Sequence, residues 1–124
     1  MRQDREGPIH RAIVAYLRLA LPDAMTHHSA GEGVRGGKAG RLDGARRKAM
    51  GQVAGWPDIE VILPAHIGPA WFEVKAEGGY ASPEQEAVHE RLTALGYRVA
   101  IVRSIDDVRE SLAAWGVWTR EAAE

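Results

Sequence analysis

The sequence predicts an α/β fold: a single domain over residues 1–124 with one mixed sheet flanked by helices. Three observations predict it. A helical apolar stripe opens the chain, two short β-rich runs with breakers between them occupy the middle, and a capped helix leads at once into a third β-rich run. With 124 residues, 45% apolar and 27% charged, the chain suits one soluble core and is too short for two.

The first helix is expected over Pro8 to Leu21. Ile9, Ile13, Tyr16, Leu17 and Leu21 share one face, Pro8 suits the first turn, and Pro22 closes the segment. Glu6 precedes this helix, where an acid is favourable for the helix dipole. His27 and His28 follow as loop or strand-end residues. Adjacent residues diverge on a strand or a helix alike, so they make no chelating pair.

From Ser29 to Gly55 the chain is glycine-rich and basic, which predicts a flexible insertion at about 29–55. Arg35, Lys38, Arg41, Arg46, Arg47 and Lys48 oppose the single acid Asp43 there, although the whole chain is near neutral at −1. Two readings stay open, a solvated arm or a nucleic-acid-binding arm that orders on phosphate. Gly36-Gly37-Lys38 is not a P-loop, because Ala39 stands where the motif needs a hydroxyl.

Asp58 to Leu63 and Ala70 to Ala76 are the two middle strands, and the short linker between them predicts an antiparallel hairpin. Alternation puts Trp71, Glu73 and Lys75 on one face and Phe72, Val74 and Ala76 on the other. Asp58 then lies beside the end of the outgoing strand that carries Glu73 and Lys75. Glu60 shares the Asp58 face, either as a supporting acid or as a solvated strand residue. Two carboxylates and an ammonium on a half-buried sheet are costly unless they serve a ligand. A hard divalent cation such as Mg²⁺ is held this way, and a lysine beside it completes a phosphodiesterase site.

Ser82-Pro83-Glu84-Gln85 is a capping box opening the next helix, with Val88, Leu92 and Leu95 as its buried stripe and Gly96 as its stop. Tyr97 to Val102 is expected to return parallel to Ala70 to Ala76. Ser104 caps a last helix whose apolar positions are Ile105, Val108, Leu112 and Trp115, with Arg103 flanking the cap or touching DNA. The tail from Val117 is expected to fray, leaving Trp115 and Trp118 as an apolar patch.

Gly55-Trp56-Pro57-Asp58 followed by Glu73-Val74-Lys75 resembles the PD-(D/E)XK nuclease signature. Ser82-Pro83-Glu84-Gln85, Gly96-Tyr97-Arg98-Val99 and Val102-Arg103-Ser104 make the chain similar to the virus-type replication-repair nuclease (VRR-NUC) branch, over roughly Glu6 to Gly116. The resemblance implies a restriction-endonuclease-like αβββαβ core and a Mg²⁺- or Mn²⁺-dependent endodeoxyribonuclease. It implies Asp58, Glu73, Lys75 and Gln85 as catalytic residues, and Asp58, Glu73, the Val74 carbonyl and Glu6 as metal ligands. It further implies branched DNA such as a Holliday junction as substrate, a homodimer, and a role in phage or bacterial replication or repair. The alternative is a non-catalytic module on the same fold that binds nucleic acid or a replication partner. The absence of cysteine fits a reducing, cytoplasmic setting, and no apolar run or secretory leader points to a membrane.

Overall fold

The computed structural model describes residues 4–29 and 44–123. Helix α1 spans Glu6–Ala20 and starts earlier than the Pro8 signal suggests. Asp4 Oδ1 accepts the Gly7 N–H at 2.8 Å, and Pro8 falls in the first turn, where its missing donor breaks no helical bond. Glu6 is thus the first helical residue and not a residue outside the helix.

Strands β1 (Met25–His28), β2 (Ile59–Ile62), β3 (Pro69–Val74) and β4 (Arg98–Val102) form one sheet in the order β1-β2-β3-β4. The first two pairings are antiparallel and the β3–β4 pairing is parallel. This bears out the α/β class, the hairpin and the parallel return through the helix between β3 and β4. His28 pairs with Ile59 and His27 with Glu60, so the two histidines sit on opposite faces of the edge strand. β2 and β3 stop one or two residues short of the predicted ends, although Lys75 N still donates to Val102 O at 3.0 Å.

Residues 44–49 form a short helix, α2, within the stretch whose sequence reads as irregular; Arg46, Arg47 and Lys48 lie on it. Arg35, Lys38 and Arg41 lie outside the described residues. Helix α3 (Pro83–Ala94) carries the capping box, with Ser82 and Gln85 exchanging both bonds. Helices α4 (Ile105–Ala114) and α5 (Arg120–Ala123) complete the chain.

The core lies between the sheet and α1 with α4. Ile13 and Leu17 of α1, Ile59 and Val61 of β2, Phe72 and Val74 of β3, Val102 of β4, and Val108 and Leu112 of α4 form one buried cluster. On the other face of the sheet, α3 lies against β4. It buries Gln85 and Leu92, while Leu95 is 63% exposed at the helix C-cap. The predicted Val88–Leu92–Leu95 stripe is therefore corrected: the face turned to the sheet is that of Gln85, His89 and Leu92, whose first two members reach Glu73.

The tail is packed and does not fray as expected. Val117 joins the core, Arg109 pairs with Glu121 through two guanidinium nitrogens, and Tyr16 Oη donates to Glu121 Oε2 at 2.8 Å. Trp115 stacks obliquely on Phe72, 5.5 Å between ring centres, which leaves Trp118 exposed without it. Among the described residues no helix is long and apolar enough to cross a membrane.

Candidate functional site

The site begins with a backbone constraint. Gly55 has φ +85°, and a Cβ there would meet the Glu84 carbonyl carbon and oxygen at 2.5 Å and Gln85 N at 2.8 Å. Only glycine allows the chain to pass this close under the first turn of α3. Trp56 then sets its edge on Trp71, 5.7 Å between ring centres, and Pro57 is fully buried ahead of β2. Pro57 therefore anchors the approach from the core.

Asp58 follows at the point where this approach enters the sheet. Its Oδ2 accepts the Val74 N–H at 2.8 Å, and its own carbonyl accepts the Ser29 N–H at 2.8 Å. Because Ile59 pairs with Phe72, Asp58 stands next to Glu73 across the ladder, as the hairpin predicts. Lys75 is half-buried just beyond β3.

Glu73 is 1% exposed. Gln85 Nε2 donates to its Oε2 at 3.2 Å, and His89 Nε2 lies 3.3 Å from its Oε1. Gln85 uses its other end in the cap, where Oε1 accepts the Ser82 N–H at 2.9 Å. The cap and the bond to Glu73 are thus one hydrogen-bonded chain, and Gln85 both caps α3 and holds Glu73. Sequence patterning does not single out His89. Its signal is the four-residue spacing from Gln85, which puts both on one face of α3. Burial lowers the His89 pKa most, and the Lys75 charge lowers it further, against Asp58 and Glu86. Neutral imidazole therefore prevails at neutral pH, and as the Nε2–H tautomer it donates to Glu73.

Glu60 is not a solvated strand residue: its Oε2 accepts the Trp71 indole N–H at 2.8 Å. Arg103 is likewise committed within the fold, donating from its guanidinium to Gly79 O at 2.6 Å and from its backbone to Asp107 Oδ2 at 2.8 Å.

A cleft of about 600 Å³ opens beside Asp58 and Val74, walled by α1 and by His28 of β1. Glu6 lines it from the first turn of α1, followed along the helix by His10, Arg11 and Arg18. The His10 and His28 rings meet edge to face, 4.6 Å between centres. Burial lowers the His10 pKa most, with the His28 and Arg11 charges acting the same way and Asp58 acting against them.

Among the described residues no three of His, Asp and Glu are grouped as a metal cage. Oxygen donors from two carboxylates and one peptide carbonyl do not require such a cage, since Mg²⁺ completes its shell with water and substrate oxygens. Asp58 has one oxygen beyond the Val74 bond, and Glu73 lies on the neighbouring strand. This donor set fits a hard divalent ion.

No protein-family model and no curated protein matches the sequence. Among solved structures, the chain is similar to a protein named "VRR_NUC domain protein", with a TM-score of 0.69 and 24% identity over 93% of this chain and 90% of that one. The two share a fold.

Proposed function

We propose that the chain is a metal-dependent DNA nuclease that hydrolyses phosphodiester bonds at the Asp58–Glu73–Lys75 site. The observation that carries this reading is the register that sets Asp58 beside Glu73, with Lys75 two residues on and Asp58 itself lining a cleft. The fold shared with a VRR_NUC domain protein agrees with it.

In this reading Asp58, Glu73 and the Val74 carbonyl hold Mg²⁺ or Mn²⁺, with Glu6 facing the same cleft as a further acid. The bound ion supplies Lewis-acid polarisation of the scissile phosphate and activation of water. Lys75 orients the attacking water or stabilises charge developing on the phosphate, a task suited to a compact ammonium on a flexible stem. Asp58 is aimed by its bond to the Val74 N–H, and Glu73 is aimed by Gln85 and His89. Pre-set carboxylates need no rearrangement of the backbone to receive a cation. Arg46, Arg47 and Lys48 contact the DNA backbone. Branched DNA, a homodimeric assembly and a cytoplasmic role in phage or bacterial replication or repair complete the proposal.

The test is single-turnover cleavage of a labelled four-way junction and of a linear duplex in Mg²⁺ or Mn²⁺, with gel filtration for the assembly state. Cleavage that requires the ion and Lys75 supports the reading. A folded, DNA-binding protein that leaves both substrates intact returns the chain to the non-catalytic module.

A further inference from the structure

The cleft beside Asp58 has a graded charge. Along α1 its lining runs from Glu6 through His10 and Arg11 to Arg18, while Asp58 and His28 line it from the sheet. Arg11 and Arg18 are seven residues apart, two turns, so they share a face about 10.5 Å apart along the axis. A sugar-phosphate backbone laid along α1 can meet both cations in turn. Neither arginine has a carboxylate partner among the described residues. This differs from Arg5, Arg98 and Arg103, whose guanidinium groups donate to the carbonyls of Glu77, Ile67 and Gly79. Between the two cations α1 presents Val14 and Ala15, a low apolar floor against which sugar and base can rest.

The cleft, about 600 Å³, is in the range that encloses a ligand of drug size and has room for a few nucleotide units of one strand. We infer that Arg11 and Arg18 form a track along α1 that binds the phosphates of a single DNA strand leaving the Asp58 site. Beyond the carboxylates, Arg11 and Arg18 hold the strand along the α1 wall. Arg11 and Arg18 thus act in binding and not in the chemical step. The inference rests on the nuclease reading only for the identity of the ligand.

The test separates the two. Fluorescence anisotropy in EDTA, where metal-dependent cleavage is silent, compares a blunt duplex with the same duplex carrying a ten-nucleotide single-stranded tail. The tail is expected to raise the affinity of the parent protein, and the Arg11→Ala/Arg18→Ala variant is expected to lose that gain while keeping the affinity for the blunt duplex. The slope of log affinity against log salt for the tailed DNA should flatten by roughly 0.7 for each single-strand phosphate that the variant no longer neutralises. Arg91→Ala, on α3 across the sheet, should change neither. A parent that ignores the tail, a double variant that keeps the gain, or an equal loss in Arg91→Ala overturns the track. A protein that binds the tail through α1 but never cuts overturns the nuclease reading instead. A thermal melt confirms folding, since both arginines are exposed.

Discussion

At the scale of single residues, Glu73 and Lys75 have separable tasks. Lys75→Ala is expected to slow single-turnover cleavage by about 10²-fold or more, as for other electrostatic stabilisers when removed, with metal affinity by calorimetry nearly unchanged. Glu73→Gln should reduce metal affinity and cleavage together. Because Glu73 is 1% exposed, its replacement is also a core substitution, which alternation along β3 does not disclose. A glutamine there keeps an oxygen for Gln85 and turns its amide toward His89, whose neutral ring can accept after a change of tautomer. Its melting temperature should therefore stay close to that of the parent. His89→Ala removes one partner of a buried carboxylate and is expected to cost about 1–3 kcal/mol in urea unfolding. His89→Gln should recover part of that loss.

The elements show which sequence signals survive folding. The antiparallel hairpin, the parallel return of β4 and the capped start of α3 are legible because alternation, breakers and cap residues are local signals. His89 is not legible, because an inward stripe of Gln85, His89 and Leu92 reads as polar until its target is known to be a carboxylate. The role of Glu60 is hidden for the same reason, its partner being an indole eleven residues away. Gly55 belongs to the motif, but its reason is the approach of α3. Gly55→Ala is expected to destabilise the protein by at least about 1–3 kcal/mol, through strain at positive φ and collision with the Glu84 carbonyl. Gly51→Ala is the control. Its φ is +100°, yet a Cβ there meets nothing within 4 Å, so thermal melts should show the smaller loss. On α2, replacing Arg46, Arg47 and Lys48 with alanine should flatten the salt dependence of duplex binding by roughly 0.9 for each phosphate they neutralise. An unchanged slope would assign those charges to solvent.

Across the whole molecule, the α/β class follows from the order of elements, while the closure of the chain does not. Tyr16, Arg109 and Glu121 come from α1, α4 and α5, and no local pattern joins positions so far apart. The cleft depends on the same assembly, since α1 carries Ile13 and Leu17 into the core and shows His10 to the opening. A histidine whose folded pKa is lowered binds its proton more readily when unfolded. The stability due to neutral His10 is thus complete above the ordinary value near 6.5 and is lost as pH falls below it toward the folded pKa. Melting temperature should decline with acidification through that window, and His10→Gln should show a shallower decline.

The hydrogen-bonded chain from Ser82 through Gln85 to Glu73 makes the first turn of α3 an internal probe of the carboxylate. Were a cation to take the Glu73 oxygen that Gln85 holds, the Gln85 side-chain amide protons would lose their acceptor while the Ser82 amide would keep its own. In a ¹⁵N-labelled sample, a magnesium titration should therefore move the Gln85 side-chain resonances more than the Ser82 backbone resonance. Their midpoint would report occupancy of the site without DNA, turnover or any attached dye.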